Sequence, residues 1–306
     1  MTKIPEFPQF KELELTDKMS VEKLTRKFKP YSDFNFSSLW AWNIKTKTKI
    51  SKLNDNLVIL FNDYISNQPI LTFIGINKIV ETTDTLFRFA DEHKYNGALR
   101  LIPQEIAETM PKSSFSVMAD QDSFDYIYPI ANLANMNNWP KSGSRKKIKQ
   151  FIKRHPNYLV KLASIQKINR DEHLKMFQKW AENKDIPNCF ELNEYKAFKK
   201  FLELEDGKIK VVSLYVDDVL VGFTVYEIQT DEYVLSHFAK ANTKFHSGTN
   251  DVLNWEEAKL LDTQGFKYYN WEQDLGLLGL RKSKEKYKPS FFLKKFTVKK
   301  LNYEDC

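Results

Sequence analysis

Two cysteines in 306 residues, Cys189 and Cys306, are too few for a disulfide framework. No apolar run is long enough to cross a bilayer, and the opening Met1-Thr-Lys-Ile-Pro-Glu lacks the apolar stretch of a secretion signal. Glycine is scarce, nine in all, and no Walker loop, dinucleotide fingerprint or nucleophile elbow is present. No His/Cys/Asp spacing suggests a metal site. These absences exclude a secreted disulfide scaffold, a membrane-spanning protein and the common nucleotide-binding and serine-hydrolase classes. A cytoplasmic protein is the expectation.

Apolar residues make up 42% of the chain and aromatics 14%, enough for two packed cores of about 150 residues each. The net charge of +7 is unevenly placed. Residues 141–154 hold seven Lys/Arg and no acid, and residues 281–300 hold nine with Glu285 alone opposing them. The remaining 31 bases face 39 acids. Basicity concentrated in two short segments on an otherwise acidic chain points to patches that meet phosphate.

The second half is the more legible. A strand is expected at Tyr158–Ile165, then helices at Arg170–Asn183, with Asn169 as N-cap, and at Glu194–Leu204. Three β-rich runs follow, Ile209–Val216, Val219–Ile228 and Tyr233–Lys240, joined by an Asp217-Asp218 turn and a Thr230-Asp231-Glu232 turn. A loop over Ala241–Thr249 precedes a helix at Asn250–Thr263, a strand at Phe266–Trp271, a basic helix at Leu280–Lys288 and a strand or strand pair at Phe291–Leu301.

This is the element order of the GNAT acyltransferase fold, an α+β fold in which the acyl donor lies where the strands flanking the central helix splay apart. In the first half a helix is expected at Glu22–Phe28 and another at Thr85–His93 with caps among Thr82–Asp84. Strands are expected at Trp40–Asn43, Leu57–Phe61, Ile70–Phe73, Ala98–Ile102 and Phe115–Ala119, with a helix opening at Pro103. That alternation fits a degenerate second copy. The expected organisation is therefore tandem GNAT domains, each a mixed, mostly antiparallel sheet flanked by helices: 1–140, a basic connecting helix over 141–157, and 158–306.

Several motifs carry chemistry. The helix in Ser142–His155 turns Ile148, Phe151 and Ile152 inward and Arg145, Lys146, Lys147, Lys149, Lys153 and Arg154 outward. Cations in its first turn oppose the helix dipole, which a phosphate-rich ligand such as a tRNA acceptor stem would explain. Gly248 and Thr249 open the central helix where GNAT enzymes hold the donor's diphosphate, but one glycine does not complete the Arg/Gln-x-x-Gly-x-Gly/Ala loop of acetyl-CoA-binding members. Glu272 and Asp274 leave a strand end beside a basic run. They suit a general base or a site for the donor's ammonium, or else they pair structurally with Arg281 or Lys284. His237 and His246 read as structural. The aromatic stretch Tyr31–Trp42 reads as core or as a seam between domains, or else as a substrate wall.

The set Tyr31-Ser-Asp-Phe, Leu39-Trp-x-Trp, Asp125-Tyr-x-Tyr128, the Arg145–Arg154 helix, His237-Phe-x-Lys-Ala-Asn242 and Asn270-x-Glu-x-Asp-Leu-Gly-x-x-Gly-Leu-Arg-x-x-Lys-x-x-Tyr-x-Pro289 resembles the soluble phosphatidylglycerol lysyltransferase C-terminal-like family. That family is related to aminoacyl-tRNA-dependent lipid and Fem-type aminoacyltransferases. The resemblance implies an aminoacyl-tRNA donor, no tightly bound cofactor, and an amine or hydroxyl acceptor on a small molecule, lipid head group or peptide. Donor contacts would come from Lys240, Asn242, Gly248, Thr249, Arg281, Lys284 and Tyr287, catalysis from Glu272 and Asp274, and phosphate binding from the 145–154 helix. Two other readings stay open: an acyl-CoA-dependent N-acyltransferase, and a non-catalytic module binding RNA or a membrane surface, with peripheral membrane contact.

Overall fold

A computed structural model describes residues 2–44, 47–63, 65–95, 97–139 and 143–301. Lys141, Ser142 and Cys306 lie outside these. The chain forms two compact units. One comprises Met1–Asp125, Gln273–Leu278 and Phe292–Cys306, the other Tyr126–Glu272 and Gly279–Phe291.

In the first unit the strands are β1 (Lys11–Glu12), β2 (Lys49–Leu53), β3 (Asn56–Asn62), β4 (Pro69–Ile74), β5 (Leu99–Pro103) and β6 (Phe115–Ala119). The helices are α1 (Lys18–Thr25), α2 (Phe36–Ala41), α3 (Ile79–Glu92) and α4 (Gln104–Ala107). Strands β1 to β4 form one antiparallel sheet in sequence order. Asn54 and Asp55 adopt left-handed φ values at the tight turn between β2 and β3. The strand expected at Trp40–Asn43 is instead the end of α2 and the turn after it. Asn35 accepts a hydrogen bond from Ser38 N at 2.8 Å and caps that helix, overriding the strand preference of its aromatic residues. Tyr31, Phe34, Phe36 and Leu39 are core, as one reading of the aromatic stretch required. Helix α3 begins at Ile79, so the expected cap residues Thr82 and Thr83 lie inside it, fully buried.

The second unit holds β7 (Asp125–Pro129), β8 (Leu159–Ser164), β9 (Ile209–Val216), β10 (Val219–Ile228), β11 (Tyr233–Ala241), β12 (Tyr268–Asn270) and β13 (Phe291–Leu293); the unit boundaries fall within β7 and β13. They form a sheet in the order β13-β7-β12-β11-β10-β9-β8. Its helices are α5 (Ile130–Ala134), α6 (Ser144–Arg154), α7 (Arg170–Asn183), α8 (Asn193–Phe201), α9 (Thr249–Thr263) and α10 (Leu278–Glu285), of which Leu278 belongs to the first unit. The β9–β10 turn places Asp217 and Asp218 at left-handed φ, and Asn169 caps α7 by accepting from Glu172 N. Strand β11 runs parallel to β12 and antiparallel to β10.

Strand β14 (Lys295–Lys300) then returns to the first unit and lies between β5 and β6, antiparallel to both. Its Lys295 is fully buried, with Nζ 2.7 Å from Asp125, 3.2 Å from the Ser32 hydroxyl and bonded to Asp33. The compact units therefore divide elsewhere than the expected 1–140 and 158–306. Pairing of β7 with β12 draws residues from Tyr126 onward into the second unit, and pairing of β14 draws residues from Phe292 back into the first.

Candidate active site

The site grows from the point where two strands of the second unit part. The parallel register of β11 and β12 ends at Leu235 opposite Asn270. Strand β11 continues along β10 to Ala241, so Ser236–Ala241 extend past the last pairing with β12. The β10 register also slips here. Phe238 faces Val225 and Ser236 faces Tyr226, leaving His237 as the extra residue of a β-bulge. Bulges re-aim side chains beside active sites.

His237 and Glu272 stand two positions beyond the last paired residues of their strands. The buried imidazole lies with Nε2 3.1 Å from Glu227 and Nδ1 3.5 Å from Glu272, its ring packed on Phe201. Burial pulls the imidazole pKa down, but hydrogen bonds to the two carboxylates outweigh it and hold the value up at about 8. Glu272 is the member open to solvent, with 24% of its side chain exposed against 4% for Glu227.

The Glu272 peptide is fixed from several sides. Its N–H donates to Asn270 Oδ1 at 2.7 Å, and its carbonyl accepts from Tyr126 N at 3.1 Å and Lys284 Nζ at 3.0 Å. Lys284 is buried, donates also to the Trp271 carbonyl, and is itself held where Tyr128 OH donates to its carbonyl. Glu272 sits at φ +58°, a left-handed conformation that is uncommon and strained outside glycine. Lys284 thus ties its ammonium to two backbone carbonyls, those of Trp271 and Glu272. The two expected acids have different surroundings. Asp274 is fully buried, and its Oδ1 accepts from Gly276 N at 2.8 Å, which closes the turn at Gly276 (φ +71°). Asp274, expected beside Glu272 as a catalytic acid, is thus a buried carboxylate engaged by this turn, whereas Glu272 reaches solvent.

The start of α9 is the second part of the site. Gly248 N donates to His246 Nδ1 at 2.9 Å, and both the amide and the hydroxyl of Thr249 donate to the His246 carbonyl, at 3.0 and 2.7 Å. Thr249 is fully buried. A Cβ on Gly248 would lie 2.6 Å from the Lys147 carbonyl, so α6 rests directly on this turn. The first-turn acid Asp251 is buried and already engaged, accepting from Tyr287 OH at 2.8 Å and pairing with Lys286. Tyr287 is buried between Trp139 and Trp271, with Asn254 donating to its hydroxyl.

The outward face of α6 is as expected. Lys146, Lys147, Lys149, Lys153 and Arg154 are exposed while Ile148 and Phe151 are fully buried. Arg145 is half-buried and donates to the Asn137 and Trp139 carbonyls, and Gly143 starts the helix without a side-chain cap. Lys240 is buried on the face covered by α7 and α8, 2.6 Å from Glu194 and 3.9 Å over the Trp180 ring. Asn242 accepts from Phe245 N and from Asn183. Arg281 is half-buried on α10.

The structure therefore brings Glu272, Lys284 and Tyr287 to one end of the sheet and Gly248 and Thr249 to the α6–α9 contact, while Lys240 points into the α7–α8 layer. Sequence reasoning missed Glu227 and the part played by His237. A lone acid near the end of the otherwise apolar run Val219–Ile228 was the available signal for Glu227.

Comparison with known proteins gives the family and the fold. Residues 25–299 match the family model "Phosphatidylglycerol lysyltransferase, C-terminal", and the chain belongs to that family. A conserved protein of unknown function from Bacteroides thetaiotaomicron is 26% identical, with TM-score 0.80 over 96% of this chain and 99% of that one. L-PGS from Bacillus licheniformis shares 14% identity and TM-score 0.63 over 97% and 94% of the two chains. FemX shares 10% identity and TM-score 0.57 over 94% and 96%. An uncharacterized protein of Mycoplasmoides gallisepticum is 25% identical over 200 residues, 61% of this chain and 60% of that relative, so the match spans less than two thirds of it. The fold is that of tandem GNAT-like and Fem-type acyltransferases, and family and fold together place the chain among acyltransferases. Among the described residues no helix is long and apolar enough to cross a membrane.

Proposed function

We propose that the protein transfers an aminoacyl group from aminoacyl-tRNA to an amine or hydroxyl acceptor, in a cytoplasmic setting. The observation that carries this reading is the seat of α6 on the start of α9. A diphosphate-bearing donor such as acyl-CoA needs free amides and open space at that helix start. Here the Gly248 and Thr249 amides are bonded within the loop, the Lys147 carbonyl leaves no room even for a methyl group, and Asp251 is already in place. The cations instead line the outer side of α6, where a polyphosphate backbone can lie against them.

The chemistry follows from the strand fork. The acceptor's nitrogen or oxygen attacks the ester carbonyl, the new amide or ester bond forms, and the bond to the tRNA ribose breaks with that oxygen taking a proton. Glu272, the exposed member of its group, receives the acceptor's proton or holds the aminoacyl ammonium. His237 and Glu227 are positioning residues that keep its carboxylate in place. Backbone amides of β11 near Ala239 and Lys240, beyond the last pairing with β12, suit the developing oxyanion. Incubation with radiolabelled aminoacyl-tRNA pools and, separately, radiolabelled acetyl-CoA tests the reading. Transfer from charged tRNA alone is expected, and turnover of acetyl-CoA without tRNA overturns it.

A further inference from the structure

The loop between β11 and α9 carries an aromatic pair that the transfer chemistry does not use. Phe245 is stacked on His155, ring centroids 4.9 Å apart at 29°, and is 38% exposed although phenylalanine is usually buried. His155 directly follows the exposed Lys153 and Arg154 at the end of α6. Lys244, beside Phe245, keeps 64% of its side chain exposed and reaches Asp185 only at 3.9 Å. The pair is rigidly mounted. His155 N donates to the Phe151 carbonyl at 2.8 Å, Phe245 N donates to Asn242 Oδ1 at 3.0 Å, and the buried Phe151 ring meets His155 and His246.

We propose that the Phe245–His155 pair is a stacking platform for an unpaired nucleobase of the RNA whose phosphates α6 holds. An aromatic face backed by a second ring and flanked by cations is how proteins grip single-stranded nucleic acid, because every base presents a π-face and each phosphate beside it finds a positive charge. Inside a duplex every base face is already stacked and only the blunt end leaves one free, so the platform favours an unpaired strand. It lies on the segment that leaves β11 just past Ala241, so a single strand stacked there is directed toward the strand fork. The inference rests on the aminoacyl-tRNA reading and adds to it the means by which the unpaired end is held.

The test uses the full chain and two RNA hairpins, one blunt and one with a four-nucleotide 3′ overhang carrying 2-aminopurine at each position in turn. Wild type is expected to bind the overhang form more tightly and to quench 2-aminopurine at one position. Phe245→Ala is expected to weaken overhang binding by roughly 5- to 100-fold and abolish the quench while leaving blunt-hairpin binding unchanged. Phe245→Trp, which keeps the ring, is expected to restore both. The platform is refuted if Phe245→Ala retains overhang affinity and quenching, if Phe245→Trp fails to restore them in a protein with wild-type thermal midpoint, or if wild type binds both hairpins equally. Absence of any RNA binding by wild type would instead bring down the donor reading itself.

Discussion

Glu272 combines a left-handed backbone, a peptide fixed on both sides and a carboxylate that is the exposed end of a three-residue group. Strain of this kind persists only where the surroundings over-determine it. Glu272→Gln keeps the shape and removes the base, so aminoacyl transfer should fall by about 10²- to 10⁴-fold with little change in thermal midpoint. Steady-state rates alongside a melting curve check this, and an unimpaired rate would remove Glu272 from the chemistry. Two buried groups make stability depend on pH in one direction. Burial lifts the Glu257 carboxyl from 4.5 to about 7, against the hydrogen bond it accepts from Thr224 at 2.5 Å, and His237 rises from 6.5 to about 8. Both fold with the proton on, and the unfolded chain releases it at lower pH, so stability must fall as pH rises. The loss is about 3 kcal/mol between pH 4.5 and 7 from Glu257 and about 2 kcal/mol between pH 6.5 and 8 from His237. Denaturant unfolding from pH 5 to 9 should show both limbs, with Glu257→Gln flattening the lower and His237→Gln the upper.

At the scale of elements, α6 has an outer face for charge and an inner face for packing, and the two can be separated by mutation. Replacing Lys146, Lys149 and Lys153 together by Glu should weaken tRNA binding and reduce the slope of log affinity against log salt by about 2 to 3, without altering the fold. A salt slope unchanged in that variant would place the RNA elsewhere. Gly248→Ala acts on the other face. Its φ of −94° is open to alanine, so the cost is steric: the new methyl meets the Lys147 carbonyl, and a loss of about 1–3 kcal/mol is expected in urea unfolding.

The second unit was legible in its elements because its hairpins, caps and helix periods are local signals, from Asn169 through the Asp217-Asp218 turn to the parallel strands around α9. Arg145–Arg154 was legible for the same reason. What escaped depends on partners distant in sequence. The bulge at His237 is a property of the β10–β11 register, Glu227 gains meaning only opposite His237, and the task of Asp274 is set by a turn that closes on Gly276. In the first unit a strand was expected at Trp40–Asn43 from its aromatic residues, and the Asn35 cap that makes Phe36–Ala41 a helix was not recognised.

Considered as a molecule, the chain passes between its two units four times, at Asp125, Glu272, Leu278 and Phe291. The first unit therefore owes the middle strand of a three-stranded sheet to residues far downstream. Deleting residues 292–306 should strip amide-exchange protection from Leu99–Pro103 and Phe115–Ala119, a result that hydrogen–deuterium exchange reads directly. Retained protection in both segments would mean that β5 and β6 hold together without β14.

That arrangement also sets a timetable. During synthesis β5 and β6 emerge long before their shared partner β14, about 175 residues later. At ribosomal rates of about 5–20 residues per second, the two strands wait on the order of 10–35 seconds with unsatisfied edges. The first unit is begun early yet completed only after the strand fork of the second has been made. A growing chain of this protein should accordingly be a client of ribosome-associated chaperones throughout that interval.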